Sequence, residues 1–369
     1  MMIDRRLVQY FDWWMLCLTA AITTIGLINL YSATNAGADM HSSLFTKQLI
    51  WYAGGTVIMV AAFLVDFKVY ERWGHLIYVI CLALLVAVLL VGKFVAGSKR
   101  WLVLGPVSIQ PSEMVKIAVI IMLSKYYARV VRTEGIGFRE LITPGLITAI
   151  PFLLIVRQPD LGTAMQVLLI ASAITMYIKI ERRTLIALVI TAASVVPMMW
   201  LFFLKGYQKE RIMTFLDPGR DPLGAGYHII QSKIAIGSGM LTGKGYLQGT
   251  QNALDFLPEQ HTDFIFSVLA EEWGLVGGLM MLLVFLLLIV WGLQIAQRSR
   301  DPFGTILAVG VTAMFAWQVF INVGMVMGLM PVVGVTLPFI SYGGSSVLTT
   351  MAGVGLLLNV SMRRFKFEK

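Results

Sequence analysis

Charged side chains are sparse in this sequence, and they gather at a few points where they could do chemistry. The run Phe256-Leu-Pro-Glu-Gln-His-Thr-Asp-Phe-Ile-Phe brings Asp263 up against an aromatic, apolar segment. A carboxylate at that boundary is partly desolvated, which makes it a better base toward a hydroxyl proton. The plainer reading is a helix cap. His261, two residues earlier, is too close in sequence to complete a Ser-His-Asp arrangement and is counted as a substrate-binding candidate. Glu271 and Glu272 follow two turns later and read as buried structural acids.

Two further clusters are polar. In Gln110-Pro-Ser-Glu-Met-Val-Lys, Pro111 and Ser112 suit a helix start. Glu113 and Lys116 are spaced i,i+3 and share a helix face. They make either a packing ion pair or the polar wall of a cavity. Lys99 and Arg100 lie just before them and are available to phosphate. In Arg157-Gln-Pro-Asp-Leu-Gly-Thr, Asp160 either caps the next helix or pairs with a base at a cavity rim. Lys244 sits in the glycine-rich stretch 237–249 and is a further phosphate-binding candidate. That stretch does not meet the phosphate-loop spacing, because Ser238 stands five positions before Gly243 where a glycine is required, and Gly245 follows the lysine in place of Ser or Thr. The four histidines have no metal-site spacing.

The elements that must carry these groups follow from composition. The chain has 369 residues, 58% hydrophobic and only 13% charged, against about 25% charged in an average soluble domain. That excludes a soluble globular enzyme, a disordered chain and a collagen-like fibre, and leaves an all-α, polytopic membrane protein. Ten candidate transmembrane helices lie near 13–32, 49–66, 76–96, 112–128, 142–157, 162–179, 184–204, 264–294, 303–329 and 345–362. The fifth holds Pro144 and Pro151 and is expected to be short and irregular. Cys17 and Cys81 both lie in apolar runs and read as buried thiols.

With both termini cytoplasmic, 17 of the 29 Lys and Arg fall on the inner side and five on the short outer loops and helix ends. That asymmetry sets the orientation. The net charge of +9 is thereby a topology signal and not a sign of nucleic acid. One long extracytoplasmic loop, 205–263, separates the seventh and eighth helices within a single membrane domain. Its stretch Tyr227 to Ile236 is partly amphipathic and should lie on the membrane surface or pack on the bundle.

The segments Lys99-Arg-Trp-Leu, Gln110-Pro-Ser-Glu-Met-Val-Lys-Ile, Gln158-Pro-Asp-Leu-Gly-Thr, Ile229-Ile-Gln-Ser-Lys-Ile-Ala-Ile-Gly-Ser-Gly, Gly243-Lys-Gly, the 256–266 run and Ser341-Tyr-Gly-Gly-Ser occur in this order. Together they resemble the SEDS family (shape, elongation, division and sporulation), and its rod-shape branch more than its division branch. Met240 departs from the pattern, where a third glycine is expected. The resemblance implies a peptidoglycan glycosyltransferase of the bacterial inner membrane. It would polymerise lipid II on the extracytoplasmic side, releasing undecaprenyl diphosphate, for cell-wall elongation and rod shape. It also implies a class B penicillin-binding protein and other elongation-machinery proteins as partners. The family's essential loop acid maps to Asp263, and its ion-paired Glu and Lys map to Glu113 and Lys116.

The chemistry agrees with that expectation. Glycosyl transfer needs a base for the acceptor hydroxyl and positive charge for the leaving diphosphate. Asp263 would serve as the base, or would ligate a divalent cation, Mg or Mn, that does the electrostatic work. No other cofactor is expected. A lipid II flippase would use the same cavity without needing a base. A scaffold for the penicillin-binding protein would need neither.

Overall fold

The computed structural model describes residues 10–35, 42–95, 98–104, 107–130, 135–198, 201–202, 206–217, 219, 225–254, 256–257 and 259–364. Helices dominate. They are α1 (Trp13–Asn35), α2 (Ser42–Leu64), α3 (Phe67–Val91), α4 (Pro111–Val130), α5 (Phe138–Arg157), α6 (Leu161–Tyr177) and α7 (Arg182–Met198). In the long loop follow α8 (Gly206–Leu216), α9 (Ala225–Ser238) and α10 (Thr250–Ala253), and after it α11 (Ile265–Arg298), α12 (Pro302–Val326) and α13 (Gly344–Met362).

Among the described residues, seven helices are long and apolar enough to cross a membrane: α1, α2, α3, α5, α11, α12 and α13. The other three expected spans coincide with α4, α6 and α7. Of these, α4 carries Glu113, Lys116, Lys125 and Arg129, and α6 and α7 have 17 residues each. The fifth span departs from expectation. It is a full 20-residue helix with both prolines inside it. Cys17 is exposed on the outside of the bundle, so only Cys81 is buried.

Local chemistry explains the helix starts. Pro111 opens α4, where its missing N–H leaves no bond unmade. Asp66 accepts from the Lys68 N–H at 3.0 Å to start α3. Asp301 accepts from the Gly304 N–H at 2.9 Å, with Pro302 at the first turn of α12. The core sits on α12 and α13, whose apolar stretches are 78% and 89% buried, while α1, α2, α3, α5 and α11 keep about two thirds of theirs for lipid. Lipid cannot drive one apolar face against another, so close packing and buried polar contacts hold such helices together. Asn359 on α13 does this by donating to the Ala62 carbonyl at 2.6 Å on α2.

Two features are absent from the sequence reading. The segments β1 (Lys93–Val95), β2 (Ser98–Leu104) and β3 (Val107–Ile109) form an antiparallel sheet in the order β1-β2-β3; β1 was expected inside the third span, 76–96, whose helix ends at Val91, and β2 and β3 were expected as loop. This hairpin delivers the chain to the start of α4. In addition, α11 is broken at Gly274, whose φ of 65° and ψ of −163° are reached with ease only by glycine. The amphipathic stretch at 227–236 becomes α9 and packs on the bundle. Ile229, Ser232 and Ala235 are buried, and the Ser232 hydroxyl donates to the Val326 carbonyl at 2.6 Å. Ile234 stays exposed.

Candidate functional site

Asp263 ends the long loop immediately before α11. The helix begins at Phe264 with no side chain capping it, so the carboxylate is not used as a cap. Among the described residues no hydrogen bond reaches it. It faces the last outer loop, where a Cβ built on Gly334 would stand 3.4 Å from its Oδ2. Gly334 has a φ of +71°. The residue is half-buried, with one side open. Burial pushes its carboxyl from the ordinary 3.8 up to about 6. The charges of Glu259 and Asp160 push the same way, and those of Arg100 and Arg211 pull back.

The backbone around Asp263 is fixed from several sides. The Asn322 amide on α12 donates to the Asp263 carbonyl at 2.9 Å and to the Val335 carbonyl at 2.7 Å. The Ser341 hydroxyl donates to the Thr262 carbonyl at 2.6 Å, and the Tyr342 N–H donates to the His261 carbonyl at 2.8 Å. Gln48 on α2 holds this outer loop in turn, donating to the Ser341 carbonyl at 3.1 Å. His261 itself is half-buried, and its ring meets Tyr342 edge-on at 5.9 Å.

Asp160 is both of the things its sequence allowed. It accepts from the Thr163 N–H at 3.3 Å as the cap of α6. It also accepts from Gln110 Nε2 at 2.9 Å and Ser112 Oγ at 3.2 Å, and it sits 3.7 Å from the Arg100 guanidinium. Arg100 donates to the Pro159 carbonyl at 3.1 Å, while its buried Nε has no partner. Gly162 lies against the Val333 carbonyl, where a Cβ would be 2.4 Å away. The turn carrying Asp160 is therefore pressed against the loop that faces Asp263.

Glu113 and Lys116 are buried and paired at 2.9 Å, and Lys116 also donates to Gln166 Oε1 on α6 at 2.8 Å. The Lys116 ammonium is thus engaged by two acceptors, while Glu113 Oε2 has no partner among the described residues. Lys244 stands elsewhere. Its ammonium is 2.6 Å from Glu271 and donates to Thr250 at 2.7 Å. Lys99 lies on β2 beside Arg100, and its side chain is outside the described residues.

Sequence reasoning missed three contributors, Arg211, Asn322 and His228, and expected Gly334 only as part of an outer loop, 331–344, whose backbone can line a cavity. Arg211 on α8 is close enough to act on the Asp263 charge. Asn322 and Gly334 shape the Asp263 backbone and its open face. His228 on α9 stacks on Phe264 at 5.9 Å, with its buried Nδ1 unpartnered and its basicity lowered by burial. An Asn inside an apolar span was the one legible signal among them. Among the described residues no three His, Cys, Asp or Glu side chains converge as a metal site. The described residues around Asp263 do not make a cation cage of their own.

The arrangement is a half-open, desolvated carboxylate with two arginines within electrostatic reach, at one end of a helical membrane bundle. Residues 12–366 match the family model described as cell cycle protein, which covers FtsW, RodA and SpoVE. The chain is 43% identical to the peptidoglycan glycosyltransferase MrdB of Escherichia coli K12 over 96% of this chain and 94% of that protein. It is 40% identical to stage V sporulation protein E of Bacillus subtilis over 95% and 96%. A solved chain from a study of polymerization and crosslinking by a peptidoglycan synthase complex matches with a TM-score of 0.82, at 32% identity over 96% of this chain and 99% of that one. The rod shape determining protein RodA of Thermus thermophilus matches with a TM-score of 0.71, at 28% identity over 96% and 98%. The chain belongs to the FtsW, RodA and SpoVE family of membrane proteins.

Proposed function

We propose that this chain is a peptidoglycan glycosyltransferase that polymerises lipid II for cell elongation, with Asp263 as its general base. The observation that carries the reading is the state of Asp263. It is a carboxylate with a pKa near 6, free of hydrogen bonds among the described residues, open on one side and anchored through its backbone. A base should be largely ionised at neutral pH yet still able to take a proton, and a pKa near 6 meets both conditions. The relatives' names support the reaction class.

In this mechanism Asp263 takes the proton from the acceptor sugar hydroxyl as that oxygen attacks the anomeric carbon of the donor. The bond to the diphosphate breaks in the same step, and the undecaprenyl diphosphate leaves with the electron pair. Arg100 and Arg211 supply the positive charge that stabilises the departing diphosphate. Glu113, Lys116 and Gln166 hold α4 against α6, and so place Gln110 and Ser112 on Asp160 and Asp160 beside Arg100. The reaction takes place on the extracytoplasmic side of the inner membrane, the side where the polyprenyl-linked donor presents its sugars. A class B penicillin-binding protein works beside it as the crosslinking partner.

The test is polymerisation of labelled lipid II by the purified chain with a transpeptidase-dead penicillin-binding partner. Wild type should give glycan ladders, and Asp263→Ala should give none while still binding the partner. Lipid II movement across liposomes without ladders from either protein would replace this reading with a transporter.

A further inference from the structure

The break in α11 is joined to the outer loop by an exchange of hydrogen bonds. In an unbroken helix the N–H groups of Leu275 and Val276 would donate to the carbonyls of Glu271 and Glu272. Here Leu275 donates to the Met240 carbonyl at 2.8 Å and Val276 to the Leu241 carbonyl at 3.1 Å. The two vacated carbonyls accept instead from Lys244 N–H and Gly245 N–H, each at 3.0 Å. The loop segment 240–245 is thus inserted into two rungs of the helix. Glycines make the approach possible. A Cβ on Gly239 would lie 2.0 Å from the Ala270 carbonyl oxygen, and one on Gly243 would lie 2.1 Å from that of Glu272.

The consequence falls on the nine residues before the break. Residues 265–273 are a short helical arm, and Asp263 lies just before its N-terminal end. The Glu271 carboxylate, fully buried, ties the arm to the loop. It accepts from Lys244 Nζ at 2.6 Å, from the Gln251 N–H at 3.1 Å and from Thr250 Oγ1 at 3.2 Å. Glu272 ties it to α1 by accepting from the Ser32 hydroxyl, and Asn29 on α1 donates to the Ile265 carbonyl at 3.0 Å. Two adjacent acids buried in a membrane helix are costly and call for a task. A bend alone would need only the glycine.

We propose that Lys244 and Glu271 are positioning residues, a latch that sets the arm, and through it Asp263, at the angle the reaction needs. This rests on the reading of Asp263 as the base. It also assigns Lys244 a role different from phosphate binding, since its ammonium is already engaged by Glu271 and Thr250. The latch touches neither donor nor acceptor. Releasing it should therefore spare substrate binding, slow the chemical step and loosen the enclosure that keeps Asp263 desolvated.

The experiment measures lipid II polymerisation by the full chain with its transpeptidase-dead partner, as a function of substrate and of pH. It compares wild type with Lys244→Met, Lys244→Arg and Asp263→Asn. Lys244→Met should lose about tenfold to a hundredfold in kcat, the usual cost of a small misplacement, with KM within about twofold. Its acid limb should move to lower pH as Asp263 regains water. Lys244→Arg, which keeps the ion pair, should restore most of kcat and the wild-type limb. If Lys244→Met does not fold, Thr250→Val weakens the same latch and should shift the limb in the same direction. A raised KM with kcat intact would overturn the proposal and return Lys244 to the substrate. So would an unchanged limb with activity lost only in proportion to folded protein. Full polymerisation by Asp263→Asn would instead sink the reading of the base. Loss in Asp263→Asn with a wild-type profile in Lys244→Met would sink the latch alone.

Discussion

At the scale of the residue, the account turns on which carboxylates are partnered. Asp160, Glu113 and Glu271 are held by named donors, whereas among the described residues none donates to the Asp263 carboxylate. The unequal environments separate a working acid from structural ones. Asp263 titrates near 6 in the folded chain against 3.8 when unfolded. A raised folded value means that stability from the neutral form is fully present below about pH 4 and is lost as pH rises through about 6. Asp263→Asn should therefore be more stable than wild type at pH 7.5, by about 1–2 kcal/mol once solvent on the open side is allowed for. A thermal unfolding comparison in one detergent checks this, and equal or lower stability would mean that the group is not desolvated. Lys116 makes the opposite case. Lys116→Met leaves Glu113 buried without its cation, and should cost about 3–5 kcal/mol. Adding Glu113→Gln should recover part of that loss in the same measurement.

At the scale of the element, the insertion of loop 240–245 into α11 makes glycine requirements specific. Gly243→Ala combines a φ of +81° with a Cβ 2.1 Å from backbone, so it should leave little folded protein. Gly237→Ala, on α9 with nothing within 4 Å of its Cβ, should be neutral or gain about 0.5–1 kcal/mol. Yields and melting temperatures of the two variants compare them directly. These elements also show what the sequence could and could not say. The seven long apolar helices, the proline at the start of α4, the Asp160 cap and the Glu113–Lys116 pair were legible because each is a local pattern of period, cap or i,i+3 spacing. The β1–β3 sheet was not, since β1 and β3 are only three residues each and β1 continues the apolar run of the third span. The break in α11 was read as one continuous apolar span, because the carbonyls that Gly274 frees are satisfied by residues some 30 positions away. Lys244 looked like a phosphate ligand for the same reason, as its partner Glu271 is a tertiary contact. Arg211 sits in a helix with no motif of its own, and only the fold brings it toward Asp263.

At the scale of the whole molecule, the buried pair of helices α12 and α13 forms the fixed centre, and the polar groups concentrate at the end carrying the sheet, α8, α9 and the last loop. On the orientation expected from the charge asymmetry, that end faces outside. With Cys17 and Cys81 replaced by serine, a cysteine introduced at Gly219 should react with a membrane-impermeant maleimide on intact spheroplasts. One introduced at Gln297, at the opposite end of α11, should react only after the cells are opened. The reverse pattern would place Asp263 on the side away from the lipid-linked sugars and remove the basis of the mechanism.

The central claim is that Asp263 takes the acceptor proton, and the pH dependence of single-turnover glycan transfer tests it most directly. The rate for wild type with its partner should fall tenfold per pH unit on the acid side, with a midpoint near 6. Asp263→Asn should lose about 10²–10⁴ in rate and show no such limb. An acid limb of the same midpoint persisting in Asp263→Asn would show that another group takes the proton, and would contradict the account.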